Sequence, residues 1–437
     1  MLIFSLLMSV VLVGAALVQL AFALLFRHHF PSRPVHRYQP SNQQSHPQSD
    51  LAGSGVTQPA VAVLISLRGC DPSLRDCLRG LLNQNYPDFE IYVIVDDQPD
   101  SATDWIGDLQ REVAPQVPLH IHSLDVRIDR CSLKCNALLN GWEQISAADR
   151  YQYLLLLDAD VTPPVNWIRD LIGPLEADSQ IGLVSGAQWF EPSAGCSWGA
   201  LVRSTWNAGA LVPTVVFHNP WAGSLAMRVA DVRRGEIPAA WQTSIVDDGP
   251  LGDCYNRLGL QRHFAPSLIM VNQENCSFAF ARQWMTRMLL WSRLYERNYF
   301  LSVLHSLFST TTMTVLFAVL VWSIVQQQWL IASFTAVGLI TSGILSVAAL
   351  LAVRQVVVIS QRYQGLSLPA LSAAQLFWLF WAVPITQWMY LDACLRALFA
   401  KKIRWRGVDY QVEAKDNVRI IRIAPLDSHS VKNKLSV

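Results

Sequence analysis

The chain has 437 residues, 51% of them hydrophobic and 15% charged, with 16 Trp. An average soluble domain carries about a quarter charged residues, so this composition excludes an ordinary cytosolic enzyme, and the length points to two or three units. A formal net charge of +1 excludes a strong global field for nucleic acid. The eight cysteines make no Cys-x-x-Cys pair and no zinc-ligand spacing, which excludes a disulfide framework and reads as thiols in a reducing compartment.

Leu2 to Phe26 is apolar and uncharged, long enough for a bilayer core of about 30 Å. Its cationic flank (Arg27, His28, His29, Arg33, Arg37) follows it, whereas a cleaved signal peptide has the reverse order. Residues 1–27 therefore read as an anchor with its N-terminus outside and the chain emerging into the cytoplasm. Residues 28–59, basic and then rich in Pro, Gln and Ser, read as a linker.

From residue 60 to 276 the pattern alternates. Val61–Ile65 is a short apolar run typical of a buried parallel strand. Asp71, Pro72 and Ser73 open a helix with Leu74, Leu78, Leu81 and Leu82 on its apolar face. Further strands are expected at Ile91–Val95, Leu119–Leu124, Tyr153–Leu157 and Gly182–Gln188. This alternation argues for an α/β domain with a mainly parallel sheet, in which ligands bind beyond the carboxyl ends of the strands. Two of those ends carry paired carboxylates, Asp96-Asp97 and Asp158-Ala-Asp160. Each pair fits turn or helix-capping chemistry, and Asp158-x-Asp160 equally fits a site for Mg²⁺ or Mn²⁺ beside a diphosphate. A third pair, Asp247-Asp248, stands before a helix through Leu251, Tyr255 and Leu258, where the helix dipole also favours acid.

Trp284 to Tyr299 reads as an interfacial amphipathic helix within residues 277–299. Three long apolar runs follow within residues 300–400: Phe300–Val325, Trp329–Val353 and Gln375–Ala400, the last interrupted by Pro384 and carrying Asp392 and Arg396. Residues 401–437 form a basic tail whose Ile403-Arg-Trp-Arg-Gly407 reads as a headgroup-facing anchor. Three spans after a cytoplasmic domain would leave that tail outside, against the positive-inside rule. A re-entrant stretch between Arg354 and Ala373, or an interfacial helix in the third run, would remove the conflict.

The ordered set Val61-Ala-Val-Leu-Ile-Ser-Leu-Arg-Gly-Cys-Asp-Pro-Ser-Leu74, Gln84-Asn-Tyr-Pro87, Val95-Asp-Asp97, Lys134-Cys-Asn136, Asp158-Ala-Asp160, Gly223-Ser-Leu-Ala-Met-Arg228 and Val246-Asp-Asp248 resembles family 2 glycosyltransferases of the GT-A fold, in their ceramide glucosyltransferase-like branch. The resemblance covers residues 60–293. It implies a Rossmann-like GT-A domain between N- and C-terminal transmembrane helices. Asp97 would bind the base or ribose of a nucleotide-sugar, Lys134 and Asn136 would lie near it, and Asp158 and Asp160 would hold Mn²⁺ or Mg²⁺ on its diphosphate. Asp248 would be the general base on the acceptor hydroxyl, with Asp247 beside it. Relatives also carry Gln or Arg, two variable residues, then Arg-Trp; here the segment is Arg287-Met-Leu-Leu290-Trp291. Leu290 replaces the Arg, leaving Arg287, Arg282 or Arg293 as the diphosphate's cation and Trp291 as the retained aromatic.

The function so implied is transfer of a hexose, glucose from UDP-glucose, to the hydroxyl of a lipid such as ceramide, by a multi-pass membrane enzyme with its catalytic domain on the cytoplasmic face. Trp189-Phe190, Trp206, His218 and Trp221 lie where a lipid could enter, or pack a core. The alternatives are a processive polysaccharide synthase and a non-catalytic nucleotide-binding membrane protein.

Overall fold

The computed structural model describes residues 1–30, 58–69, 73–96, 117–124, 127–193 and 195–424. Helix α1 (Leu2–His29) opens the chain. A seven-stranded sheet follows, made of β1 (Val61–Leu67), β2 (Phe89–Val95), β3 (Leu119–Ser123), β4 (Tyr153–Leu157), β5 (Ile181–Phe190), β6 (Ser224–Arg228) and β7 (Gln261–Asn272). Its spatial order is β3-β2-β1-β4-β6-β5-β7. Every pairing is parallel except the two made by β6, which gives the mainly parallel sheet of a GT-A fold.

Val61, Val63 and Ile65 face one side of this sheet, Ala62 and Leu64 the other, and all are fully buried. Burial on both faces is why β1 reads as an unbroken apolar run. Helices α2 (Leu74–Leu82) and α4 (Trp167–Ala177) cover the first face and α3 (Leu133–Ala148) the second. β6 and β7 escaped the strand pattern. β6 is short and ends in Arg228, and β7 opens Gln-Arg-His and contains Pro266, which its edge position tolerates. Shorter helices α6 (Val229–Arg234), α7 (Ile237–Trp241) and α8 (Leu251–Arg257) lie between β6 and β7. Ser132, Ser197 and Ser277 cap α3, α5 (Trp198–Val216) and α9 (Phe278–Tyr295); each hydroxyl accepts a backbone N–H three residues on at 3.1–3.2 Å.

Among the described residues, three helices are long and apolar enough to cross a membrane: α1, α10 (Tyr299–Val325) and α11 (Trp329–Tyr363). α1 lies parallel to α11. Ser5 Oγ is 2.6 Å from Thr335 Oγ1 near one end, while Phe26 and Phe30 share a cluster with Leu350, Val353 and Val357 near the other. Small residues along this contact let the backbones approach. At about 1.5 Å per residue, the 35 residues of α11 span about 52 Å, well beyond a hydrocarbon core of about 30 Å.

The surplus grips the sheet. On β7, an edge strand, Ile269 donates its N–H to Ser360 Oγ (3.1 Å) and its carbonyl accepts from Gln361 Nε2 (2.9 Å). Helix side chains thus satisfy main-chain groups that an edge would leave open. Arg354 Nε and Nη2 donate to Glu191 Oε1, just beyond β5, at 2.9 and 2.6 Å, with both residues buried. The span expected to stop at Val353 continues because these polar side chains find protein partners.

The third apolar run is the helix α12 (Ala373–Phe399), started by a capping box of Ser372 and Gln375. It touches neighbouring elements at both ends. Gln375 Nε2 donates to Pro192 O (2.9 Å) and Trp378 packs on Trp198 of α5; at the other end Arg293 of α9 donates to Leu398 O (2.7 Å) and Ala400 O (3.0 Å). Phe377, Trp381, Trp388, Leu395 and Phe399 form an exposed stripe along it, and Asp392 pairs with Arg396 at 2.7 Å. The run expected at Gln375–Ala400 is thus one helix lying along α5 and α9, and among the described residues it is not one of the three helices long and apolar enough to cross a membrane.

The described part of the expected basic tail, residues 401–424, is also folded. β8 (Lys402–Trp405), β9 (Val408–Ala414) and β10 (Asn417–Ile423) make a second, antiparallel sheet. Val408, Tyr410, Val412 and Val418 are buried in the same cluster as α3. Alternation of these apolar residues with charged ones hid the strands behind the tail's overall basicity.

The α1–α11 contact yields a test. A Cβ on Gly338 would lie 2.6 Å from Ser9 Cβ, whereas one on Gly209 of α5 would meet open space. Gly338→Leu is expected to overpack the pair, costing about 1–3 kcal/mol and lowering the thermal midpoint in detergent, while Gly209→Ala leaves it unchanged.

Candidate active site

The carboxyl end of β4, the loop before α8 and the first turn of α3 converge on one ammonium. Lys134 Nζ lies 2.6 Å from Asp158 Oδ1 and 2.8 Å from Asp247 Oδ2. A cation in the first turn of a helix opposes the dipole, and burial alone would favour its neutral form. The charges of Asp158 and then Asp247 nevertheless hold its proton well above the ordinary lysine value. Burial raises Asp247 against the pull of Lys134.

Asp248, the neighbour, turns away from Lys134. Its Oδ2 accepts the Ala222 N–H at 3.4 Å, while Gly223 O accepts the Asp158 N–H at 3.2 Å. The turn before β6 thus touches both the base candidate and the metal candidate. Burial and the Asp247 charge push the Asp248 carboxyl up to about 7, against the attraction of Lys134. The loop itself is pinned by Trp241 Nε1 on Asp247 O (2.9 Å), by Ser132 N on Ser244 O (3.0 Å) and by the Tyr295 hydroxyl 2.7 Å from Ser244 Oγ. A Cβ on Gly249 would lie 2.6 Å from Tyr295 Cδ2, which accounts for the glycine after the acidic pair.

Asp160 sits in the field of two arginines. Arg203 of α5 donates to Glu274 O and stacks 4.2 Å over the Phe190 ring. Arg287 of α9 lies 5.5 Å over the Trp405 ring, brought down to about 10 by burial and by Arg406, against the opposing pull of Asp160 and Asp158. Leu290 is fully buried with Met285, Leu289, Ala393 and Ala397, so that position of α9 faces an apolar layer. Trp291 packs 6.1 Å from Trp405.

Asp158 and Asp160 offer hard oxygen ligands at the end of a strand. Among the described residues no group of three or more His, Cys, Asp or Glu side chains is placed to hold a metal. A carboxylate pair without a full protein cage fits Mg²⁺ or Mn²⁺ completing its shell with phosphate oxygens.

At the other edge of the cleft, Asp96 ends β2, 5% exposed and ion-paired with Arg68 and, at 2.8 Å, with Arg127. Asp97 lies outside the described residues. Asn136 does not face the cleft: its Oδ1 accepts Ile128 N (2.6 Å), and its Nδ2 donates to Ile128 O (3.0 Å) and Ser132 O (3.1 Å). It braces the loop that presents Lys134. Sequence reasoning assigned no role to Arg68, Arg127 or Arg203. Their signal was present only as isolated arginines, which no local pattern distinguishes from surface charge.

The sheet order and its acidic centre define a nucleotide-sugar glycosyltransferase of GT-A architecture. The chain belongs to glycosyl transferase family 21, whose model matches residues 9–418. The resemblance to GT-A glycosyltransferases read from the motifs therefore holds, with family 21 as the matching family model. Among solved structures, the chain is similar to the mannosyltransferase PcManGT from Pyrobaculum calidifontis in complex with GDP-Man and Mn²⁺, at 14% identity, over 90% of this chain and 99% of that one, with a TM-score of 0.45. It is also similar to glucosyl-3-phosphoglycerate synthase from Mycobacterium tuberculosis in complex with Mn²⁺, UDP-Glc and phosphoglyceric acid, at 16% identity, over 55% of this chain and 82% of that one, with a TM-score of 0.35. No curated protein matches the chain.

Replacing Lys134 by Met strands the buried Asp247 charge and is expected to cost about 3 kcal/mol. Adding Asp247→Asn removes the stranded charge and should restore part of the loss. Urea denaturation midpoints of the two variants measure both effects.

Proposed function

We propose that this protein is a membrane-bound inverting glycosyltransferase that moves a hexose, glucose from UDP-glucose, to the hydroxyl of a lipid acceptor such as ceramide. The observation that carries the reading is the division of labour between adjacent carboxylates. Asp247 is engaged by Lys134, while Asp248 is raised to about 7 and accepts the Ala222 amide at 3.4 Å. A carboxylate tuned near neutrality suits a general base. Asp248 would take the acceptor's proton as its oxygen attacks the anomeric carbon, the nucleoside diphosphate leaving from the opposite face. One displacement inverts that centre, as single-step glycosyl transfer to water does.

Asp158 and Asp160 would hold Mn²⁺ or Mg²⁺, which when bound neutralises charge on the departing diphosphate. Arg287 would add a second positive charge there, with Trp291 supporting its helix face. Lys134 keeps Asp158 and the 244–249 loop in register, Asn136 serves the donor site through the loop it braces, and Asp97 would contact base or ribose.

The helices support a lipid acceptor. Phe190, Trp206 and Trp284 pack edge to face at 5.1 and 5.3 Å, and Trp206 in turn meets Tyr390 of α12. This aromatic wall runs from the Asp160 side of the cleft to the interfacial helix. Such side chains suit the boundary between lipid and water.

Orientation follows from the same layout. With α1, α10 and α11 as crossings and α12 at the surface, the N-terminus lies outside. The catalytic domain and Lys401, Lys402 and Arg404 then lie together on the cytoplasmic side, as the positive-inside rule requires.

Transfer activity should rise about tenfold per pH unit below 7 and level off above it, because only the ionised Asp248 accepts a proton. Asp248→Asn should lose at least about 10²-fold of the rate while still binding donor. The assay is purified protein in lipid with Mn²⁺, labelled UDP-sugars and mixed lipid acceptors, products read by mass spectrometry. A polymer instead of a singly glycosylated lipid would shift the reading to a processive synthase. Donor binding without transfer would shift it to a non-catalytic role.

A further inference from the structure

The turn between β8 and β9 carries an anomaly. Trp405 pairs with Val408, so Arg406 and Gly407 form a two-residue hairpin with φ of +46° and +77°. Such turns call for Asn, Asp or Gly at the first position. Arginine gains nothing in the left-handed region, and backbone strain of this kind is retained where the surrounding structure over-determines it, often at functional sites.

The surroundings do hold it. Tyr410 OH accepts Leu133 N (3.2 Å) at the start of α3, Ile420 N donates to Asp129 O (2.8 Å), the Tyr295 hydroxyl donates to Lys415 O (3.3 Å), and Lys415 pairs with Asp253 (3.1 Å). At the tip, Arg406 O accepts Arg68 Nε (2.8 Å), and Arg406 Nη1 donates to Arg68 O (3.2 Å). Arg68 in turn binds Asp96 at the end of β2. Trp405, one residue back, carries the Arg287 guanidinium. The hairpin therefore brings Arg406 between the end of β2 and the arginine that faces Asp158 and Asp160.

Clustered guanidinium groups beside a carboxylate centre match a polyanion, and bidentate phosphate binding is the chemistry arginine serves best. Because Leu290 is buried in an apolar layer, α9 offers Arg287 to the cleft without a second cation at that position. We propose that Arg406 is a donor-binding residue that takes the diphosphate of the nucleotide-sugar together with Arg287, and that the C-terminal sheet is the device that holds it at the cleft. The assignment rests on the donor reading above and supplies the cation that position 290 lacks.

The test is nucleotide binding to the full-length protein in detergent with Mn²⁺, by calorimetry, using UDP and UMP and, in parallel, GDP and GMP. Arg406→Ala is expected to weaken the diphosphate at least about tenfold and the matching monophosphate less than about twofold, with Arg406→Lys recovering part. Arg404→Ala, whose residue pairs at 3.8 Å with Asp409 within the small sheet, should change neither. Equal loss of mono- and diphosphate would mean that the tip only props Arg68 and would overturn the proposal, as would unchanged diphosphate binding. A wild-type protein that binds no diphosphate would sink the donor reading and this assignment with it. Wild-type binding unaffected by Arg406→Ala would sink this assignment alone.

Discussion

The ammonium of Lys134 bonded to two carboxylates is the constraint around which the catalytic domain is arranged. It joins three segments far apart in sequence: the first turn of α3, the end of β4 and the loop before α8. None of these contacts is cheap alone, since the ammonium, the buried Asp247 and the half-buried Asp158 each lose hydration. Together they are compensated, and the compensation explains why Asp247 and Asp248 differ. One is drawn into the ion pair and the other is left with a main-chain amide, so two adjacent identical residues acquire different proton affinities from their surroundings.

Much of this was legible in the chain. Continuous apolar runs located β1, β2 and β4, the last two also ending in acid, because burial on both faces removes the alternation that would otherwise blur a strand. β6 and β7 were not legible: one is five residues long, and the other is an edge strand carrying Pro266, whose main chain is satisfied by a helix almost a hundred residues later. The acidic motifs were legible as candidates, but their roles depend on which carboxylate meets Lys134, a matter of three-dimensional register. Asn136 shows the limit. Its place beside Lys134 suggested ligand contact, and the fold spends all three of its hydrogen bonds on its own loop.

The membrane-associated part is less legible than the sheet. Length and hydropathy made α12 resemble a crossing, although its exposed apolar residues form a single stripe and its other faces are covered by α5, α9 and α10. Mean hydropathy sums over all faces of a helix and so cannot separate a helix lying at an interface from one that spans it. The C-terminal residues failed by the same averaging: a basic composition concealed alternating valines and Tyr410 that pack against α3.

One consequence of the long α11 concerns bilayer thickness. A free helix meets a thinner hydrocarbon layer by tilting. This one is clamped at its C-terminal end to β7 and to Glu191, so a tilt would have to carry the sheet edge with it. The strand so engaged is the neighbour of β5, whose end bears Phe190 beneath Arg203. A bilayer around α11 would therefore couple its thickness mechanically to the Phe190 side of the cleft, and the surrounding lipid would become a determinant of the cleft's shape.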